Sequence, residues 1–170
     1  MKMSATELDL AEERLSDPHW RLNHLYSIVD KSGNKQIFKF NWAQEELFRD
    51  MWYCNIILKA RQLGISTFIC LLFLDRCLFN SNVAAGIICH TREDAEQLFK
   101  RVKLAYDGLP DELKALLAAT TDSARELCFS NGSSLRVGTS MRGSTVQYLH
   151  ISEFGKFCAH YPEKAREIIT

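Results

Sequence analysis

The chain has 170 residues, close to the size of one globular domain, and its 46% hydrophobic and 25% charged content excludes a disordered, collagen-like or low-complexity polymer. Basic and acidic side chains number 21 each, which excludes a strongly basic nucleic-acid arm while leaving room for a local basic patch. The longest apolar run, Phe68 to Leu74, closes at Asp75 and Arg76, far short of the ~20 residues that span a bilayer. The opening MKMSATELDLAEE has no signal-peptide core, so a soluble, non-secreted protein is expected.

In chain order, Ser4 to Leu15 has the apolar spacing and acidic opening of a short amphipathic helix, ended by Asp17-Pro18. LYSIVD and QIFKF, joined by residues 31–34, form the pattern of a β-hairpin, and the charged stretch around them predicts a solvated element. Asn41 is placed to cap a helix over Trp42 to Met51, on which Trp42, Phe48 and the following Trp52 read as packing residues. The apolar run 54–58 predicts a strand, followed by a glycine turn and a helix from about Ser66 to Phe79. A second strand over 83–90 leads to a helix opened by Thr91, and a further helix opens at Pro110. RELCF and SLRV flank Asn131-Gly132, a hairpin signal, and VQYLHI (146–151) is the last strand, ending at Ser152-Glu153. The alternation predicts an α/β domain with a mostly parallel, doubly wound sheet covered on both faces.

Cys54, Cys70, Cys77, Cys89, Cys128 and Cys158 are scattered singly, most of them in apolar strings, and read as reduced, mostly buried thiols. His90 and His150 sit in strand contexts and read as core or strand-end histidines. Two strand ends carry more chemistry. Residues 59–67, KARQLGIST, combine a glycine for close backbone approach (Gly64), cations (Lys59, Arg61) and a hydroxyl at a helix start (Ser66 or Thr67). The common form G-x-x-x-x-G-K-[ST] has lysine after its second glycine, where this chain has Ile65. The segment alone suits both a phosphate-binding turn and a glycine turn with solvated cations. The second strand end suits both a plain polar exit and, paired with the first loop, a site in which Glu153 polarises an attacking water near a bound γ-phosphate and the residue before it, Ser152, helps hold Mg²⁺.

Taken together, FKFNWAQ, ILKARQLGIST and GTSMRGSTVQYLHISEFGKF resemble the ATPase domain of the large terminase subunit of tailed bacteriophages, from about Leu25 to the C-terminus. The resemblance implies a P-loop NTPase of the additional-strand type. It implies that Gln44 reads adenine, that Lys59 is a displaced Walker A lysine with Arg61 as a second phosphate cation, and that Gln62, Gly64 and Thr67 line the nucleotide. Ser66 becomes the Mg²⁺ ligand and Glu153 the catalytic glutamate, with Ser152 where many members carry the Walker B aspartate. Arg142 falls where the family places an arginine that reaches a neighbouring subunit's site.

Further expectations come with the family: ATP and Mg²⁺ as cofactors, double-stranded DNA, other terminase subunits in a ring, the small terminase subunit and the portal protein as partners, and the cytoplasm of a bacterial host. Residues 1–40 are then a helix and hairpin appendage, and 41–170 an ATPase domain incomplete at its C-terminus, with the nuclease domain absent. The alternative is a non-catalytic truncated remnant that binds nucleotide or a packaging partner without useful turnover. A helicase-type RecA domain is disfavoured by the SMRGST and ISEFGK strings.

Overall fold

Local capping chemistry sets the N-terminal elements of the computed structural model, which describes residues 5–59, 62–141 and 145–169. α1 (Ala5–Ser16) stops at Asp17-Pro18, and the same dipeptide starts α2 (Pro18–His24). The Asp17 carboxylate accepts from the His19 amide at 2.8 Å, and a first-turn proline needs no amide partner. The hairpin pairs β1 (Ser27–Val29) with β2 (Lys35–Ile37) in antiparallel register. Contrary to expectation its approach is not solvated: Arg21, Leu22, Leu25, Tyr26 and Ser27 are buried. α3 (Trp42–Asp50) carries the predicted cap as a full capping box, Asn41 Oδ1 accepting from the Gln44 amide and Gln44 Oε1 from the Asn41 amide. Trp42 and Trp52, expected to pack, are 72% and 73% exposed, whereas Phe48 packs beside Phe40 and Phe68.

Residues 54–58 do not form the predicted strand. Ile56 and Leu58 are 90% and 95% exposed, and Ile57 alone of the run packs on the main core. An apolar run signals a need for burial, but a strand also needs a neighbour for its amides and carbonyls. Among the described residues, 54–58 pair with no strand of the sheet.

α4 (Ile65–Phe79) is apolar on every side and almost entirely buried, as a helix central to a core must be. β3 (Ala84–Ile88) follows, then α5 (Arg92–Asp107), capped by Thr91 Oγ1 accepting from the Asp94 amide, and α6 (Asp111–Leu116) after Pro110. β4 (Ala119–Asp122) is a strand that the apolar pattern does not announce. β5 (Glu126–Phe129) and β6 (Ser134–Gly138) flank the predicted turn, with Gly132 at φ +81°. β7 (Tyr148–Ile151) precedes α7 (Phe154–His160) and α8 (Pro162–Ile169).

The five-stranded sheet has the order β4-β5-β6-β3-β7. β3 runs parallel to β6 and to β7, while β4-β5 and β5-β6 are antiparallel. The sheet is therefore mixed, not mostly parallel, because the Asn131-Gly132 turn forces β5 and β6 to run in opposite directions. The α/β class stands. Successive β3 residues point to opposite faces: Ala85 and Ile87 join the main core with α4 and α5, and Ile88 joins a small cluster with Phe157 of α7 and Ala165 of α8. Leu22, Tyr26 and Phe38 belong to the same main core as α4.

A polar clamp ties α2 to α4. Arg21 Nε and Nη2 donate to the two oxygens of buried Asp75 at 2.8 and 2.7 Å, and Tyr26 Oη donates to Asp75 Oδ1 at 2.7 Å. Burial and the Asp75 carboxylate push the Tyr26 phenol well above its ordinary pKa. Burial likewise pushes the Cys70, Cys77 and Cys89 thiols up to about 12, so these buried cysteines stay protonated and inert.

Candidate functional site

The carboxyl ends of the parallel strands lie side by side. Cys89 N donates to Gly138 O beyond β3, and Ser152 N donates to Ile88 O beyond β7. This brings His90 and Ser152-Glu153 to one edge of the sheet, where ligand sites of open α/β sheets form. Glu153 adopts a left-handed conformation, φ +56°, uncommon for a residue with a side chain and of the kind that clusters at functional sites. Its carboxylate pairs with Lys156 one turn into α7.

At the start of α4, Gln62 and Gly64 are both left-handed, with φ +70° and +69°. Gly64 is held there by Gln44: a Cβ on Gly64 would stand 2.7 Å from Gln44 Nε2, which donates to Leu63 O at 3.2 Å. Gln44 is 3% exposed, with its oxygen engaged in the capping box and its amide on the turn, so here it positions the turn from beneath. An adenine contact by Gln44 requires release of those bonds. Gln62 Oε1 accepts from Lys31 Nζ of the hairpin at 2.7 Å, and Thr67 Oγ1 accepts from Arg101 Nη1 of α5 at 3.2 Å. Arg61 and Arg142, expected as phosphate cation and intersubunit arginine, lie outside the described residues.

Two cavities open at this edge. The larger, 790 Å³, is lined by the turn residues Gln62, Gly64, Ser66 and Thr67, by four cations, Lys31, Lys59, Lys100 and Arg101, by one carboxylate, Asp30, and by apolar side chains including Ile28 and Leu104. Among the described residues none of these four has a carboxylate within ion-pair distance. The smaller, 140 Å³, holds Ser152, Glu153, His90 and Asp94. Ser66 and Arg101 line both. Of the expected site residues, the structure thus brings Lys59, Gln62, Gly64, Ser66 and Thr67 to one cavity and Ser152 and Glu153 to its neighbour. The larger cavity thus sets four cations and the Asp30 carboxylate beside a left-handed glycine turn, with the Glu153 carboxylate in the neighbouring cavity.

Lys31, Lys100, Arg101 and Asp94 were not legible from the motif strings. One signal was present: Asp94, Gln97, Leu98 and Arg101 recur at i, i+3, i+4 and i+7, a single strip of α5, and all four line the smaller cavity. Lys31 carried no such signal, since only folding lays the hairpin beside the turn.

Among the described residues no group of three Asp, Glu, His or Cys is placed to enclose a metal. The oxygen donors that share the smaller cavity are the Ser66 and Ser152 hydroxyls, the Gln97 amide and the Asp94 and Glu153 carboxylates, with the His90 imidazole beside them. Such sparse, hard oxygen donors fit Mg²⁺, which keeps several waters and takes further ligands from phosphates. No described helix is long and apolar enough to cross a membrane. No protein-family model matches the chain, and no curated protein matches it in sequence. Fold and site together define a mixed-sheet α/β protein with a cation-lined glycine turn beside a carboxylate.

Proposed function

We propose that this chain is the ATP-hydrolysing segment of a viral DNA-packaging motor of the large-terminase kind, built on a P-loop NTPase fold. The observation that carries the reading is that Ser66, at the start of α4, lines both the cation-rich cavity and the cavity that holds Glu153. A phosphate chain bound at the turn then ends beside a general base.

In this reading Lys59 and the turn amides around Gly64 hold the phosphates, and Lys31 steadies Gln62. Mg²⁺, held through the Ser66 and Ser152 hydroxyls, supplies charge neutralisation on the phosphate oxygens when bound. Glu153 leaves Lys156, accepts a proton from the attacking water and orients it in line with the scissile bond. Arg142 acts on a neighbouring subunit, which makes turnover depend on ring assembly. Double-stranded DNA, the small terminase subunit and the portal protein are the partners of the assembled motor in the host cytoplasm.

ATPase assays on the chain, Lys59→Ala and Glu153→Gln test this directly. Both substitutions should lower turnover by about 100-fold or more, the usual loss when a general base or phosphate clamp is removed. Equal background rates in all three would sink hydrolysis by this chain on its own. The second reading, a nucleotide-binding remnant without turnover, is favoured by Ser152 at a metal-holding position and by the engagement of Glu153 with Lys156. It predicts a rise in Tm with ATP and no phosphate release.

A further inference from the structure

Arg101 is not part of any motif in the sequence, yet it occupies the junction of the site. It projects from α5, which packs on α4, and its Nη1 donates to Thr67 Oγ1 at 3.2 Å. With Ser66 it lines both the cation-rich cavity and the cavity of Glu153. Among the described residues no carboxylate lies within ion-pair distance of it, and Thr67 takes one donor of a guanidinium that has five. A planar cation with donors to spare, facing a cavity that other cations also line, is suited to a bidentate grip on a phosphate group.

We propose that Arg101 is the residue that distinguishes a nucleoside triphosphate from a diphosphate, an inference that rests on the nucleotide reading above. A phosphate chain that begins along Lys59 and the Gly64 turn and ends toward Glu153 must cross from the larger cavity to the smaller. Its terminal group lies at the junction, where Arg101 meets it. A diphosphate stops one group short of the junction: Arg101 still borders the larger cavity beside Thr67, but the terminal group that its remaining donors would grip is missing. Lys100, the neighbour of Arg101 on α5, lines the larger cavity only and does not discriminate.

Calorimetric titration of the full chain with ADP and with a non-hydrolysable ATP analogue, for wild type, Arg101→Ala, Arg101→Lys and Lys59→Ala, tests the assignment. Arg101 is solvent-exposed, so its variants should melt at the wild-type temperature, which confirms that they fold. Arg101→Ala should weaken the analogue about tenfold or more, the effect of losing a hydrogen bond to a charged group, and leave ADP within about twofold. Arg101→Lys keeps the charge without the fork and should fall between. Lys59→Ala should weaken both ligands together. If Arg101→Ala weakens both equally, or neither, Arg101 does not discriminate and the assignment is overturned, while nucleotide binding by the wild type stands. A wild-type chain that binds neither ligand removes the nucleotide reading and this assignment with it.

Discussion

Gly64 and His150 show how much a single position carries here. Gly64 needs φ +69°, a region that costs an L-residue about 1–2 kcal/mol, and any side chain at that point meets Gln44 Nε2. Gly64→Ala is therefore expected to lower unfolding stability by at least that amount in urea titration and to loosen the Leu63–Gln44 bond that holds the turn. His150 on β7 has its Nε2 buried with no hydrogen-bond partner among the described residues, and burial, then the Lys59 charge, push its pKa down to about 4. The unfolded chain takes up this proton near pH 6.5 and the folded chain resists until about pH 4. Stability from this group is complete above pH 6.5 and declines as the pH falls toward 4, by on the order of 3 kcal/mol. Tm measured against pH without nucleotide or magnesium should fall less steeply over that window in His150→Phe than in wild type. Equal slopes would locate the acid sensitivity elsewhere.

At the scale of elements, the Arg21–Asp75–Tyr26 clamp joins the N-terminal segment to the helix that starts at the turn. Asp75 sits fully buried within an otherwise apolar helix, so removing its charge strands Arg21 in the core. Asp75→Leu should cost about 3–5 kcal/mol, whereas Arg21→Met with Asp75→Leu should recover most of it, since apolar replacement of a whole buried pair is often neutral. Chemical denaturation of the three proteins checks this, and an equal loss in single and double variants would show that the pair is not what holds α2 to α4. The stop of α1 at Asp17-Pro18, the caps at Asn41 and Thr91 and the Asn131-Gly132 turn were legible in advance because each is settled by atoms a few residues apart, whereas Asp17 as the cap of α2 was not read. The partner of Asp75 was not, because Arg21 is 54 residues away in sequence.

For the whole molecule, the decisive feature is an unfinished side of the sheet. Among the described strands, β7 has a neighbour on one side only, and its Tyr148 and Leu149 are exposed. Trp52, Tyr53, Ile56 and Leu58 add exposed apolar surface in the segment that leads to Lys59. Bare strand edges and apolar patches drive self-association. Sedimentation should show concentration-dependent association of the chain, and Ile56→Ser with Leu58→Ser should reduce it while changing unfolding stability by no more than about 0.5 kcal/mol per site, because neither side chain is packed. Association unchanged by the double substitution would assign it to another surface.

By itself the sequence determined α1, α3, α4, α5 and α6, the caps at Asn41 and Thr91, the two hairpins and the pair of chemically loaded ends at residues 59–67 and 152–153. These follow from periodicity, capping and turn chemistry, which act over a few residues. Tertiary structure decided what depends on distant partners. It left residues 54–58 unpaired with any described strand, and it turned the first half of a charged stretch into core. It set Gln44 beneath the turn and brought Lys31, Lys100 and Arg101 around one cavity. Local free energies choose the elements, but a charge becomes part of a site only when the packing of other elements lays it beside the same space.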